Sequence, residues 1–563
     1  MQLSAQPSAT LTFLPLGGIE DVTKNMYLYM VGDEILIVDC GLGFADETML
    51  GVDLLVPDIS ALLDMIPPKG NKKIVGLVLT HGHEDHIGGL PFILPQLPKF
   101  PIHGTPLTAA LANEKLKEFR TGVKVNTFQF NQQPIKLGNN FTVSFIRVTH
   151  SVPDSSCIYL KTPVGNFFHT GDFKFDLTPA DGKRSEYLKI TRAQIDGVTA
   201  LFSDCLGAER PGFIESEIGL EKHFETVMRD VTGKVLVTTY SSNINRINQT
   251  IHAASRFGRK VCFVGRSVLK ATSVAKTLGY MHIPEGMEIG LDQIKNYDDN
   301  ELLLLVAGSQ GQENSALSRI AGDEHREIEL FPEDLVIFSS DTIPGNEVLV
   351  KALLDDISKK GAKVFYSDIT SDFHVSGHGS AGDLMLMMSL VGAKFVVPVS
   401  GTYTGMVAYR ELAKNLGYRD NQVVFLRNGQ EFIFTRDSIR KGKKVDVRNV
   451  YVDEISGEEV EGFVLRDRER LAKEGIIIVM VEVDTVNGQL IEIPDLVVKG
   501  FSPKDVEDLK KSLAEEIRNH LGKGKHRVKN SVHLRHQLED LIVRYVLKTM
   551  QRKPLVLPVV IEV

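Results

Sequence analysis

The chain has 563 residues, of which 43% are hydrophobic and 24% charged, and its formal net charge is −8. This composition is ordinary for a globular enzyme of several domains, and the negative charge argues against general coating of nucleic acid or of anionic membranes. No apolar stretch reaches the roughly 18 residues of a membrane span, and residues 1–12 lack the basic and apolar regions of a signal peptide. We therefore expect a cytoplasmic protein that does not bind membranes.

The cysteines are Cys40, Cys157, Cys205 and Cys262. They lie far apart and form no Cys-x-x-Cys pair, so that neither a disulfide framework nor a cysteine zinc site is indicated. We expect four packed thiols.

The most informative segment follows the apolar residues 74–79, which predict a buried strand. Directly after it come the potential metal ligands His81, His83, Asp85 and His86. Imidazole and carboxylate donors at one strand tip are the ligand set that suits zinc or a similar borderline cation. Single histidines are usually packing or surface residues. Four potential ligands on one turn would repel one another when protonated, so the cluster predicts a metal site.

Two later predicted strands also end in side chains that bind metals. Residues 142–148 read as a strand that is closed by His150, and the apolar residues 167–168 lead to Asp172. An earlier apolar run, residues 34–38, ends at Asp39. These strand ends supply further candidate ligands.

The middle of the chain predicts parallel α/β structure. The strand-like residues 235–239 lead through Ser241, Ser242 and Asn243 into a helix over 244–257, and residues 262–265 form the next strand. Units of this kind favour a parallel sheet with sites at the strand ends. After about residue 447 the chain becomes charge-rich, at 458–473 and 504–518, around the apolar strand 476–483, which predicts a separate C-terminal module.

The metal motif, together with His150, Asp172 and Asp39, resembles the metallo-β-lactamase superfamily, whose sandwich fold carries its metals on loops at one edge. Asp39 matches the first motif of that superfamily, and the resemblance implies that it orients the ligands from behind through hydrogen bonds.

Residues 201–401 are similar to the β-CASP insertion of the members that process nucleic acids. Asp204 matches the first β-CASP motif and His378 matches the second. Further motifs resemble bacterial ribonuclease J, at residues 208–212, 308–311, 315–319, 343–347, 466–468 and 554–558. The resemblance implies an α/β protein in which a metallo-β-lactamase αββα sandwich (1–208 and 366–447) is interrupted by a β-CASP domain (209–365). A small C-terminal α/β domain (448–563) would follow it.

The resemblance implies a metal-dependent ribonuclease that acts in the 5′-to-3′ direction on RNA with a 5′-monophosphate, and also cuts internally, in RNA maturation and decay. By analogy, two divalent cations, expected to be zinc, would lie about 3.5 to 4 Å apart and activate water. One would be held by His81, His83, His150 and Asp172, and the other by Asp85, His86 and the bridging Asp172. The implied catalytic residues are Asp85, His378 and Asp204, and the implied substrate-binding residues are Ser241, Ser242, Asn243, His374, Val375, Ser376, Gly377 and His378.

One departure from the family pattern concerns the third β-CASP motif. The family usually has Pro-Val-His-Gly-Glu there, whereas this chain has Ser400 at the histidine position. A serine hydroxyl is a poor replacement for an imidazole ligand, so the second site is expected to be weaker or to accept manganese. The alternative is therefore a catalytically weakened RNA-binding subunit that supports a paralogous ribonuclease.

Other expectations rest on less specific features. Some members of the family bind a structural calcium, for which Asp53 and Asp453 are candidates. The family implies a homodimer or higher homo-oligomer, with the terminal residues 556–563 either at an interface or within the sheet of the tail domain. Hydrolysis of a small thioester or lactam is compatible with the metal motif alone, although the long insertion argues against it.

Overall fold

The computed structural model describes residues 10–45, 49–343, 345–366, 373–453, 459–484, 490–521 and 531–563. Three parts of the sequence analysis lie outside the described residues. They are most of residues 1–12, Pro344 of the 343–347 motif and Glu458 of the charge-rich stretch. The chain divides into two compact units, Met1–Asp46 with Leu54–Val450 and Glu47–Asp53 with Tyr451–Val563.

The first part of the chain, up to Asp204, is rich in strands. The strands are β1 (Leu11–Pro15), β2 (Tyr27–Val31), β3 (Glu34–Val38), β4 (Gly43–Phe44), β5 (Leu54–Val56), β6 (Lys73–Leu79), β7 (Ile102–Gly104), β8 (Asn126–Thr127), β9 (Ile135–Leu137), β10 (Phe141–Arg147), β11 (Ser156–Lys161), β12 (Asn166–His169) and β13 (Ala200–Asp204). The helices are α1 (Ser60–Met65), α2 (Glu84–Ile87), α3 (Leu90–Ile93), α4 (Pro106–Glu118) and α5 (Tyr187–Asp196).

The next part, up to residue 394, forms the insertion and its return. Its strands are β14 (Val235–Thr238), β15 (Lys260–Val264), β16 (Leu302–Val306), β17 (Leu335–Phe338) and β18 (Lys363–Phe365). Its helices are α6 (Leu220–Met228), α7 (Ile244–Ser255), α8 (Arg266–Thr277), α9 (Ala316–Ala321), α10 (Glu347–Lys359) and α11 (Ala381–Val391). The first unit is completed by β19 (Phe395–Val399), α12 (Tyr403–Asn415), β20 (Gln430–Phe434) and β21 (Ile439–Lys444).

Two sheets form the sandwich of the first unit. One runs in the order β21-β20-β1-β2-β3-β6-β7-β8 and the other in the order β19-β13-β12-β11-β10-β9. The apolar side chains of both sheets share one core, which explains why strands such as β2 and β3 are buried at every position. Helices α11 and α12 pack on the second sheet and α4 packs beside β7 and β8, which gives the expected αββα arrangement.

The inserted sheet is entirely parallel, in the order β15-β16-β14-β17-β18. Helices α6, α7 and α8 bury one face and helices α9 and α10 bury the other, as their apolar residues show. The chain leaves the sandwich after β13 and returns to it as β19, which pairs directly with β13. The carboxyl end of β14 and the return segment before α11 therefore both reach the sandwich edge where β6 and β12 end.

The second unit contains a small sheet in the order β24-β23-β25. Strand β22 (Val450–Val452) spans the division of the chain between the two units. The elements that follow it are α13 (Gly462–Glu474), β23 (Ile476–Val483), β24 (Asp495–Lys499), α14 (Pro503–Leu521), α15 (Ser531–Met550) and β25 (Leu555–Glu562). Alternate residues of β23 are buried against α14 and α15, because only one face of the sheet is covered by that core. The strand predicted at 476–483 and the terminal strand are confirmed, and β25 lies within this sheet.

Two exclusions can be compared with the structure. All four cysteines are buried as free thiols, which confirms the prediction. Among the described residues, none of the helices combines the length and the apolar character that crossing a membrane requires.

Candidate metal centre and substrate cleft

The metal motif is placed by β6. Every residue of this strand after Lys73 is buried, so the strand is anchored in the core up to Leu79. The chain then turns through His81 and His83 into the short helix α2, which carries Asp85 and His86. His150 follows β10, and Asp172 follows β12 of the facing sheet. The predicted ligands thus meet at one edge of the sandwich.

Three imidazole nitrogens converge at the centre of this edge. The Nδ1 atom of His83 lies 3.0 Å from Nε2 of His81 and 3.1 Å from Nε2 of His150. The carboxylate oxygen Oδ2 of Asp172 lies 3.7 Å from the same His81 nitrogen. These four side chains together can hold one metal ion.

The hydrogen bonds behind the rings determine which nitrogen is free. The Nδ1–H of His150 donates to the carbonyl oxygen of Gly377 at 2.7 Å, so Nε2 keeps its lone pair. The Thr80 hydroxyl donates to Asp39 at 2.8 Å and can only accept from Nδ1–H of His81, 3.0 Å away. His81 therefore also presents a lone pair from Nε2.

Burial favours the neutral, ligating form of these histidines. It lowers the pKa of His81 and His150 well below the ordinary value, and that of His83 to about 4. The free Nε2 atoms of His81 and His150 both face Nδ1 of His83, at 3.0 and 3.1 Å, an arrangement that a cation among the three nitrogens would stabilise. The Oδ1 atom of Asp172 is also buried without a hydrogen-bond partner in the described part of the chain. The donor set therefore fits a divalent metal of the zinc type.

Asp39 holds this arrangement from behind. Its Oδ1 accepts the Thr80 backbone N–H at 2.8 Å, and its Oδ2 accepts from Nδ1 of His86 at 2.8 Å. The residue is fully buried and has a φ of +60°, a strained conformation for a residue other than glycine. This geometry is that of a carboxylate which orients neighbouring ligands.

A second set of donors lies beside the first and shares Asp172 with it. The Nε2 atom of His86 is 3.2 Å from Oδ2 of Asp172 and 3.4 Å from Oδ2 of Asp85. Burial acts to lower the pKa of His86, but the carboxylates of Asp172, Asp85 and Asp39 outweigh it and raise this pKa well above its ordinary value. Burial raises the pKa of the Asp172 carboxyl group. The three side chains form a second group able to hold a metal.

Ser400 is linked to this second set through Asn25. Its hydroxyl donates to Oδ1 of Asn25 at 3.0 Å and lies 3.3 Å from the hydroxyl of Tyr27. The Nδ2 atom of Asn25 lies 3.1 Å from Nε2 of His86. The side-chain amide of Asn25 therefore contacts Nε2 of His86 on the side where the family pattern would have an additional imidazole.

His378 is paired with Asp204 on the insertion side of the centre. Its Nδ1 lies 2.8 Å from Oδ2 of Asp204, and its Nε2 lies 3.8 Å from Oδ2 of Asp172. Burial acts to lower the pKa of His378, but Asp204 and Asp172 outweigh it and raise this pKa to about 9. Its side chain is 20% exposed, so the ring borders the cleft as a hydrogen-bond donor.

A cleft of about 270 Å³ opens over the metal ligands, between the sandwich and the inserted sheet. The predicted substrate residues that line it are Ser241, Ser242, His374, Ser376, Gly377 and His378. Asn243 instead is buried, and its side chain accepts from the Arg246 N–H as the N-cap of α7. Val375 lines an adjoining cavity.

The structure adds residues to the cleft that sequence reasoning missed. Tyr240 lies with its ring centroid 6.1 Å from that of His83, and Arg210 and Asp341 form part of the wall. Tyr240 directly precedes the predicted Ser241, and Arg210 lies in the 208–212 motif. The sequence therefore pointed to these segments but did not predict that the two side chains line the cleft. Asn25 is a single residue of a common type to which the sequence assigned no role.

A buried cluster of charged side chains holds the 373–377 segment through hydrogen bonds to its carbonyl groups. Lys174 forms an ion pair with Glu217 and donates to the Ser376 carbonyl at 3.2 Å. Arg246 lies 3.3 Å from Glu217 and donates to the carbonyls of Phe373 and Val375 at 3.1 and 3.4 Å. Both cations thus hold carbonyl groups of the segment that directly precedes His378.

The calcium candidates Asp53 and Asp453 lie outside the groups of potential ligands found in the described residues. A calcium site at these residues stays a prediction.

Comparison with known proteins matches three parts of the chain to family models. The metallo-beta-lactamase superfamily model matches residues 20–204, the model for the beta-CASP domain of ribonuclease J matches 232–357, and the ribonuclease J C-terminal domain matches 463–563. A solved protein of unknown function from Enterococcus faecalis has a similar fold, with a TM-score of 0.55 and 17% identity over 76% of this chain and 100% of its own.

Full-length relatives extend these matches. Ribonuclease J of Thermus thermophilus is 36% identical over 99% of this chain and 96% of its own, and ribonuclease J2 of Bacillus subtilis is 32% identical over 98% of each. Ribonuclease J of Helicobacter pylori is 35% identical over 87% of this chain and 70% of its own. With its metallo-β-lactamase, β-CASP and C-terminal domains, the chain belongs to the ribonuclease J family.

Proposed function

We propose that this chain is a metal-dependent ribonuclease that removes nucleotides from the 5′ end of RNA carrying a 5′-monophosphate and also cuts RNA internally, in RNA maturation and decay. Its curated relatives are named ribonuclease J and J2, which supports a nuclease function. The observation that carries the proposal is the convergence of His81, His83 and His150 with Asp172 under a cleft whose other wall is the inserted sheet.

The donor sets indicate how metals would contribute. Two divalent cations would, when bound, polarise the scissile phosphate and activate water. The first set is rich in imidazole nitrogen, which suits zinc, whereas the second has one imidazole and two carboxylates, which also suit manganese.

His378 is placed to manage the proton of the leaving group. Its Nδ1–H donates to Asp204, which fixes the ring so that Nε2 borders the cleft beside Asp172. Hydrolysis adds the hydroxyl of water to phosphorus and breaks the P–O3′ bond. A proton held on Nε2 of His378 would pass to the departing O3′ atom.

The substrate phosphate would meet hydroxyl and amide donors. Ser241 and Ser242 present hydroxyl groups at the wall of the cleft. The Ser376 carbonyl points at Lys174, and because N–H and C=O of a trans peptide point in opposite directions, the Gly377 N–H is directed away from Lys174. This N–H is available to a phosphate oxygen.

Turnover of a 5′-monophosphorylated RNA by the purified chain, with zinc or manganese, tests the proposal. We expect mononucleotide products, and we expect His81→Ala to lose both bound metal and turnover. The control Arg229→Ala changes an exposed residue of the insertion and should retain both. Absence of turnover with zinc, manganese and magnesium would contradict the enzyme.

Ser400 favours a second candidate, a weakened RNA-binding subunit that supports a paralogous ribonuclease. Its hydroxyl binds Asn25 and does not contact His86, so the second metal set has no donor from this position. The subunit would bind RNA without turnover and hold fewer than two metal ions per chain, and Ser400→His would raise that number. Sedimentation of the full chain measures whether it forms the homodimer or higher homo-oligomer that the family implies.

A further inference from the structure

The cleft over the metal ligands adjoins a second cavity of about 390 Å³. Four residues line both spaces, namely Arg210, Asp341, His374 and Ser376. The cleft and the second cavity therefore share a wall of these side chains.

The wall is held by contacts between the sandwich and the insertion. Arg210, in the loop after β13, places Nη2 at 3.9 Å from Oδ2 of Asp341, which follows β17. The same carboxylate oxygen lies 3.1 Å from Nε2 of His374. The backbone of Asp341 is fixed in turn, because the hydroxyl of Tyr240 donates to its carbonyl at 2.8 Å.

The Arg210–Asp341 contact can open without loss of folded structure. Their side chains are 49% and 40% exposed, and an ion pair at 3.9 Å between such groups is weak. A phosphate group can accept two hydrogen bonds from a guanidinium, so RNA can compete with Asp341 for Arg210.

The second cavity has the chemistry of a nucleotide site. Phe213 lines the second cavity and is 64% exposed, so its ring is accessible to a ligand there. An exposed aromatic ring next to an arginine is a platform on which a base can stack while its phosphate is neutralised. His223 and Ser216 add polar groups to the same wall.

We propose that Arg210, Asp341 and His374 form a gate that decides whether the RNA ends in the cleft or continues into the second cavity. The inference rests on the proposed ribonuclease function. With the gate closed, the cleft holds a terminal nucleotide and favours cutting from the 5′ end. Internal cutting requires space for the RNA on the 5′ side of the scissile bond, and the second cavity behind the gate supplies it.

Circular and linear 5′-monophosphorylated RNA of the same sequence test the gate. In Asp341→Ala the weak closing contact is lost while Arg210 stays available to a phosphate group, so we expect the circular RNA to be cut about fivefold faster than by the wild type. Asp341→Asn, which keeps the shape of the side chain, should change this rate in the same direction. The control Lys276→Ala/Glu288→Ala removes an ion pair of similar exposure elsewhere in the insertion and should leave it unchanged.

The two proposals fail in different ways. If the gate variants cut circular RNA no faster than the wild type while linear RNA is still degraded, the gate proposal is wrong and the ribonuclease proposal is unaffected. If the wild type cuts neither RNA, the ribonuclease proposal is wrong. Binding without metal then decides the gate, since Asp341→Ala should bind circular RNA about fivefold more tightly, and an unchanged affinity would overturn the gate.

Discussion

At the metal centre, hydrogen bonds behind the rings of His81 and His150 determine which ring nitrogen faces the centre. Thr80 and Asp39 together occupy Nδ1 of His81, and the Gly377 carbonyl occupies Nδ1 of His150, so the opposite nitrogens face the centre. Metal ligands whose other nitrogen is hydrogen-bonded are fixed in tautomer and orientation. The affinity of the centre thus depends on residues that do not bind the metal.

Gly377→Ala tests this dependence. A Cβ atom at this position would lie 2.7 Å from Cε1 of His150, so either the ring or the backbone must move and the hydrogen bond to Nδ1 is disturbed. We expect the affinity for zinc to fall about 10 to 100-fold, as measured by competition with a chelator. The control Gly462→Ala meets no atom within 4 Å and should bind zinc as the wild type does. Unchanged affinity in Gly377→Ala would show that this contact does not orient His150.

His378 is predicted to contribute to turnover and not to metal binding. Replacement by Asn removes the proton donor and should lower turnover of 5′-monophosphorylated RNA by about 10² to 10⁴-fold. Asp204→Asn should lower it by less, because the ring stays in place but loses its carboxylate partner. Metal content measured on the same samples should match the wild type. Loss of metal would instead make His378 a ligand.

At the scale of single residues, the sequence predicts some members of the metal centre and cleft but not others. The ligands of the 81–86 segment are visible because four of them stand within six residues after an apolar strand. Asn25, Tyr240 and Asp341 are single residues of common types that meet the centre only after distant segments come together. Tyr240 stands beside the predicted Ser241, but no local pattern assigns a role to any of the three residues.

At the scale of elements, the position of the 373–377 segment depends on a buried ion cluster. Arg246 from α7 and Lys174 from the loop after β12 share Glu217 and hold carbonyl groups of that segment. Arg246 is fully buried, so its charge must be compensated within the protein. The cluster thus connects the insertion to the loop that carries Asp172.

Glu217→Gln should therefore be strongly destabilising in a pH-dependent way. Burial acts to raise the pKa of Glu217, but Lys174 and Arg246 outweigh it and lower this pKa below its ordinary value of 4.5. The carboxylate accordingly stabilises the fold above about pH 4.5, and this stabilisation is lost as the pH falls through the lowered pKa. We expect the free energy of unfolding to drop by about 3 to 5 kcal/mol at pH 7, and by less below pH 4.5.

The neighbouring Glu215 supplies the control. It is exposed, so Glu215→Gln should change the free energy of unfolding by less than about 0.5 kcal/mol at either pH. Denaturant unfolding of both variants at pH 7 and pH 4 measures the difference. A destabilisation of Glu217→Gln that does not depend on pH would show that the carboxylate is not charged in the folded protein.

The elements themselves were predictable where burial is complete. The strands predicted at 74–79 and 476–483 agree with β6 and β23, because apolar runs of this length leave few other structures. The edge strands β8 and β21 are mostly exposed and polar, so their sequences resemble loops. Sheet order could not be derived from the pattern, since the pairing of β13 with β19 joins segments separated by the whole insertion.

At the scale of the whole molecule, the two compact units have separate apolar cores. The second unit buries β23 against α14 and α15, and all donors of the metal sets lie in the first unit. A ligand that binds only the folded form stabilises the part that holds it. Metal should therefore stabilise one unit and leave the other unchanged.

Calorimetry of the full chain with and without a chelator measures the effect of metal on the unfolding transition of each unit. The chelator removes the cation from among His81, His83 and His150. At a metal concentration of 100 times Kd, the first unit thereby loses about 2.7 kcal/mol of stabilisation. We expect the unfolding transition of the first unit to move down by a few degrees, while that of the second unit stays in place. His81→Ala, which lacks a ligand, should show the lower transition even with metal present. A chelator that shifts both transitions equally would mean that the two units unfold as one.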